Sequence, residues 1–428
     1  MKTSGQLRAE TAGQSGDPIS DDLVRQTELL ISGVLRGGVI LSAIVILVGI
    51  VDFYTRRIGG RPVSFAFAHS LPGVFQDVVR GEPLAIVALG LLILLATPVL
   101  RVAVSILAFA VERDGLYVVI TSIVLSILLF SIIVVGAVLG HGTHAHEVHS
   151  SISFFVFIFL GSLFAGFVGS LVGLGGGVFV VPLLTTAFGV PIQSAIGASI
   201  VSVIATSSGA AAAYVRDRMT NMRVGMFLEI ATTVGAVSGA LLATIVDPSV
   251  LFVIFGLVLI FSVLPLVVRL GEELPTGVSD DRFSKRLRLA ATYPDQRLER
   301  DVSYSVTGVP AGFGMMYVAG AISGLLGIGS GTFKVLAMDA AMRLPMKVST
   351  TPSNFMIGVT AAASAGIYFQ RGDIDPVIAA PVALGVLLGA TMGAVTLPRL
   401  SNAWVRKVFI PVIVLVGIEM LLRGVGIA

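Results

Sequence analysis

The chain has 428 residues, 55% hydrophobic and only 12% charged, with a formal net charge of +3 and a mean hydropathy of +0.97. Soluble domains carry roughly 25% charged residues, so a water-soluble globule is excluded, and no basic block is present of the kind a nucleic-acid partner needs. Cysteine is absent, which excludes disulfides and thiolate chemistry.

Residues 1–28 are polar and have no apolar core beside Lys2 and Arg8. No cleavable signal peptide is expected there, and the first span serves as the insertion signal. Solid apolar runs near ~20 residues then predict membrane-spanning helices. Their lack of polar alternation excludes a transmembrane β-barrel. Three spans come first, at about 34–53, 84–107 and 116–140. Between the first two, "RRIGGRPVSFAFAHSLPGVFQDVVRGEP" is too broken by Gly and Pro to cross. Pro98 and Arg101 fall in the second span and suggest a kink. "HGTHAHEVH" at 141–149 reads as a solvated connector whose spacing matches no closed zinc site. The boundary falls there: an N-terminal membrane domain at 1–145 and a second domain at 151–428. The first is expected to regulate or assemble the second without forming its pathway.

The second domain contains an internal repeat. "GLGGGVFVV" at 173–181 returns as "GIGSGTFKV" at 327–335, an offset of 154 residues (327 − 173). Without a gap, Pro191 then matches Pro345, Ser199 matches Ser353, Tyr214 matches Tyr368, and Gly235 and Gly239 match Gly389 and Gly393. Repeat 1 covers 151–268 and repeat 2 covers 306–428, joined by the linker 269–305. Each repeat has a long apolar arm, a glycine stretch, a short arm and three full spans. These spans fall near 193–215, 224–246 and 249–268, then near 347–369, 376–397 and 403–422. The linker's arginines and the basic run 216–223 place both on the cytoplasmic side. Each repeat then crosses an odd number of times, so the two are expected to have inverted topology, as in many secondary transporters. Carried back to the start, this topology puts Arg56, Arg57, Arg61 and Arg80 outside, against the positive-inside expectation.

A short arm of about a dozen residues rises only about 18 Å, less than a ~30 Å hydrocarbon core. Two hairpins are therefore expected, turning near the midplane at Gly173–Gly177 and Gly327–Gly331. Free N–H groups at a helix start suit an anion. The candidate binding residues are Gly175, Gly176, Gly177, Gly329, Ser330, Gly331, Thr332 and Lys334. To these are added Thr351, Ser353 and Asn354 of "STTPSNF", and Ser207 of "ATSSG". Lys334 replaces Val180 of the first copy, and a charge at that depth usually lines a pathway. Glu229 and Asp339 lie in apolar stretches and are candidates to carry a coupling proton. No metal or cofactor is implied.

"GLGGGVFVVP", its echo "GIGSGTFKVL" and "LPMKVSTTPSNFMIGVTAAASA" resemble the sulfite exporter TauE/SafE family, also called 4-toluene sulfonate uptake permeases, over about 151–428. The first three spans resemble the DUF1634 domain sometimes fused in front. Copy two departs from the family pattern, with Ser330 for a glycine and Leu336 where copy one has Pro182. The resemblance implies an all-α polytopic protein of the cytoplasmic membrane that carries small organosulfur anions, such as sulfite or sulfonates, usually outward. A homo-oligomer, expected as a dimer, remains open. So do the rival readings of an anion channel and of a membrane sensor or scaffold. A membrane-embedded enzyme would need carboxylates and histidines converging inside the spans, and the histidines lie outside them.

Overall fold

The computed structural model describes residues 18–59, 70–135, 151–172, 176–216, 221–267, 278–295, 300–396 and 402–427. The histidine tract and Gly173–Gly175 lie outside these residues. The chain is an all-α polytopic membrane protein. Seven of its described helices are long and apolar enough to cross a bilayer. Its surface agrees: Ile40, Leu41, Ile44, Leu47, Val48 and Val51 on the first span are all at least 49% exposed. In water so large an apolar patch is a liability, whereas lipid covers it without cost.

The N-terminal region forms α1 (Pro18–Ile58), α2 (Leu71–Val79), α3 (Pro83–Val111) and α4 (Gly115–Phe130), which ends in a π-turn at Ser131–Val135. Ser70 caps α2 by accepting from the Gly73 N–H. Helix α3 continues through Pro98.

Repeat 1 comprises α5 (Ile152–Val172), α6 (Gly177–Pro182) with a π-turn at Leu183–Ala187, α7 (Ile192–Arg216), α8 (Met222–Leu242) and α9 (Pro248–Val267). The linker holds α10 (Arg282–Leu287) and an antiparallel pair, β1 (Ala291–Asp295) and β2 (Arg300–Tyr304). Repeat 2 comprises α11 (Val309–Leu326), α12 (Gly331–Leu336) with a π-turn at Ala337–Ala341, α13 (Met346–Gln370), α14 (Pro376–Thr396) and α15 (Asn402–Gly424).

The offset found in the sequence recurs in the backbone. Adding 154 to the bounds of α6, its π-turn, α7 and α8 gives those of α12, its π-turn, α13 and α14. Local causes repeat as well. Gly189 and Arg343 both take a left-handed conformation. The next residue closes the same bond each time, Val190 N–H to the Leu184 oxygen and Leu344 N–H to the Met338 oxygen, both at 3.0 Å. Asn221 and Asp375 each accept a backbone N–H two residues on, starting α8 and α14.

Packing interlocks the repeats. Helix α5 of the first lies along α14 of the second, α11 of the second lies along α8 of the first, and α7 meets α13. Glycines permit these approaches. A Cβ at Gly235 or Gly239 would collide with the backbone of Tyr317 or Ala321 on α11. One at Gly389 or Gly393 would collide with the equivalent Leu163 or Phe167 on α5. Without a hydrophobic drive between helices in lipid, such close backbone packing is a main source of cohesion.

Candidate functional site

The two glycine stretches meet. Gly177, at the start of α6, is packed so closely that an added Cβ would lie 2.9 Å from the Gly327 carbonyl oxygen. The Ser199 hydroxyl on α7 lies within reach of one carbonyl from each turn, Gly177 at 3.1 Å and Gly327 at 2.8 Å. Its repeat partner Ser353 on α13 donates to the Gly331 carbonyl at 3.2 Å. Each turn is therefore fastened to the helix that follows it, and Ser199 also ties one turn to the other.

The second turn departs from ordinary backbone at three positions. Gly327 and Gly329 have φ of +68° and +72°, where glycine has no steric penalty. Ser330 also takes a left-handed conformation, at φ +48°, and its buried hydroxyl has no hydrogen-bond partner among the described residues. Gly176, its counterpart in repeat 1, has an ordinary right-handed φ of −63°. The replacement of glycine in copy two thus falls on the more strained of the two equivalent positions. Beside this turn a cavity of about 10 Å³ is lined by Ser330, Gly331, Thr332 and Ser262 of α9 among others. That is room for roughly one water molecule.

Lys334, one turn into α12, is 0% exposed. Its Nζ donates to Thr360 Oγ1 of α13 at 2.6 Å. Thr360 Oγ1 lies 2.9 Å from Glu229 Oε1 of α8, to which it can donate, and 2.7 Å from its alternative acceptor, the Met356 carbonyl. Glu229 is also 0% exposed, and Thr233 donates to the same Oε1 at 3.3 Å. Its Oε2 has no hydrogen-bond partner among the described residues. A lysine from repeat 2 and a carboxylate from repeat 1 thus face each other across one threonine hydroxyl. Neither charge can be held in a dry interior without such compensation.

The remaining sequence candidates divide. Gly176 is buried with its Cα hydrogen facing Val386 of α14. Ser207 is buried, donates to its own helix at Ile204 and packs on Gly358 of α13. Asn354 and Thr332 are half-buried. Gly175 and the side chain of Thr351 lie outside the described residues. Asp339 is half-buried in the π-turn after α12, and no hydrogen bond or ion pair joins it to Lys334 or Glu229. Sequence reasoning missed Ser199 and Thr360 as site residues, although the repeat alignment pairs Ser199 with Ser353. It also treated Arg101 of α3 as a kink marker. The structure buries that arginine against Phe355 of α13.

Comparison with known proteins agrees with this architecture. Residues 158–420 match the family model "Sulfite exporter TauE/SafE", and residues 31–133 match "Protein of unknown function (DUF1634)". The chain is similar to the probable membrane transporter protein YunE of Bacillus subtilis, 27% identical over 64% of this chain and 99% of that protein. It is similar also to the probable membrane transporter protein YdhB of Bacillus subtilis, 26% identical over 55% of this chain and 86% of that protein. A probable membrane transporter protein of Sinorhizobium, ORF9, is 26% identical over 62% of this chain and 90% of that protein. No solved structure matches the chain.

Proposed function

The chain belongs to the sulfite exporter TauE/SafE family, and from that premise we propose that it carries a small organosulfur anion, sulfite or an organosulfonate, outward across the cytoplasmic membrane. The single observation that carries this reading is the meeting of the two repeats at one buried polar centre. There the glycine turns touch through Ser199, and Lys334 faces Glu229 through Thr360. A transporter site formed between repeats has this composition: broken backbone, a buried charge, and a partner charge the substrate can displace. With the second turn leaving room for about one water, this is an occluded arrangement in which Lys334 holds its internal partner. An arriving anion takes the place of Glu229 as the counter-charge of Lys334. Glu229 is then the group that exchanges a proton with the transport cycle.

The same reading makes the repeats inverted relative to each other, which their interlocked packing and odd crossing count support. Single cysteines at Ser249 and Ser279, in a chain that has none, should label from opposite faces of the membrane. Labelling from one face rejects the inversion.

Uptake into proteoliposomes of sulfite, small organosulfonates, sulfate and acetate tests the function. Saturable uptake with counterflow is expected for sulfite or a sulfonate and not for acetate. Lys334→Gln should weaken it roughly 10-fold or more, the loss of one charge-assisted hydrogen bond. Uptake of none of the organosulfur anions rejects the substrate class. Flux that never saturates replaces a carrier with a channel.

A further inference from the structure

Arg101 belongs to α3, in the N-terminal region, and is 1% exposed. Its guanidinium lies over the Phe355 ring at 4.6 Å from the centroid, and Nη1 donates to the Phe355 carbonyl oxygen at 2.6 Å. The other edge of the group carries Nε–H and Nη2–H. Both nitrogens are buried, and neither has a hydrogen-bond partner among the described residues. Those two bonds run in parallel, the geometry with which a guanidinium grips two oxygens of a single oxyanion.

Packing alone does not account for an arginine here. An apolar side chain of similar length fills such a space without desolvating a charge. Nor does Glu229 close on the open edge, since no hydrogen bond or ion pair joins the two, and its Oε1 is taken by Thr233 and Thr360. Arg101 nevertheless meets α13 at the Phe355 carbonyl, one residue before Met356, whose carbonyl is the alternative acceptor of the Thr360 hydroxyl that joins Lys334 to Glu229. Two buried cationic side chains, Arg101 and Lys334, thus converge on one stretch of α13 beside a single carboxylate.

We propose that the Nε/Nη2 edge of Arg101 binds the transported oxyanion, so that the N-terminal region supplies part of the transport site. The proposal rests on the anion-carrier reading above and goes beyond it, because it moves residues 1–145 from an accessory into the pathway. The edge matches an anion with two oxygens on one centre, as sulfite and sulfonates have.

The test uses the full-length protein. Binding of a small alkanesulfonate is measured by calorimetry and by the rise it causes in unfolding temperature. Arg101→Lys keeps the charge but loses the fork, and affinity should fall roughly 10-fold or more. Arg101→Met removes the charge from a buried site, so the ligand-free protein should remain at least as heat-stable while the ligand-induced rise disappears. Unchanged affinity in both variants overturns the proposal, and so does unfolding of both without ligand, which makes the arginine structural. If the wild-type protein binds no organosulfur anion, the carrier reading fails first. If the wild type binds and the variants bind equally, only the role of Arg101 fails.

Discussion

The two repeats share a backbone and divide the chemistry. Their helices start and stop at positions 154 residues apart, and Ser199 and Ser353 fasten equivalent turns. Yet repeat 2 has Lys334 where repeat 1 has Val180, and repeat 1 has Glu229 where repeat 2 has Ala383. Thr206 bonds carbonyls of its own helix, while its counterpart Thr360 stands between the two charges. Duplication built a symmetric frame, and two side chains, Lys334 and Glu229, made it asymmetric. A symmetric frame supplies two equivalent ways to pack, which alternating access requires. On the carrier reading proposed above, the asymmetric charges supply one site rather than two.

The comparison breaks most severely if repeat 2 is made to copy repeat 1. Lys334→Val should abolish transport and destabilise the protein by about 3 kcal/mol, because Glu229 loses the cation that faces it across Thr360. Adding Glu229→Ala, the residue repeat 2 carries, should recover most of that stability and none of the transport. Thermal unfolding in detergent and flux in proteoliposomes read the two quantities separately. A single variant that is silent in both would show that the charges do not support each other.

The symmetry itself is open to a smaller test. Gly235→Val and Gly389→Val strike equivalent contacts with backbone on the opposite repeat. Overpacking of this kind costs about 1–3 kcal/mol. The two variants should lower the unfolding temperature by similar amounts, and a large difference between them means the interlocked contacts are not equivalent in strength.

The smallest effect concerns the turns. Ser330→Gly relieves a left-handed serine and should stabilise by up to about 1 kcal/mol. Gly176→Ser at the matching position has no such strain to relieve, and its Cβ would lie 2.6 Å from Val386 Cγ1, so it should destabilise. Opposite signs at equivalent positions, read as shifts in unfolding temperature, would sharpen the contrast between the turns. Equal signs would remove it.

The sequence by itself determined the class, the repeat and the helix limits within the repeats, though not the first helix, expected near 34–53 and found at Pro18–Ile58. Apolar runs long enough for a bilayer have few alternatives to helix, since every backbone polar group must be satisfied within the segment. Prolines, glycines and Asn or Asp caps at fixed spacing mark where those helices begin and end. That is why spans expected near 193–215 and 376–397 appear as Ile192–Arg216 and Pro376–Thr396. Lys334 was legible because it is a charge in an apolar run. Its partner was not. Glu229 and Asp339 looked alike as isolated carboxylates in apolar stretches, and only packing put Glu229 across Thr360 from the lysine and left Asp339 apart. Arg101 resembled a break in its span because its neighbour Phe355 is 254 residues away in the chain. Periodicity and capping are local and can be read along the chain. Which buried charge meets which is settled by long-range packing between helices.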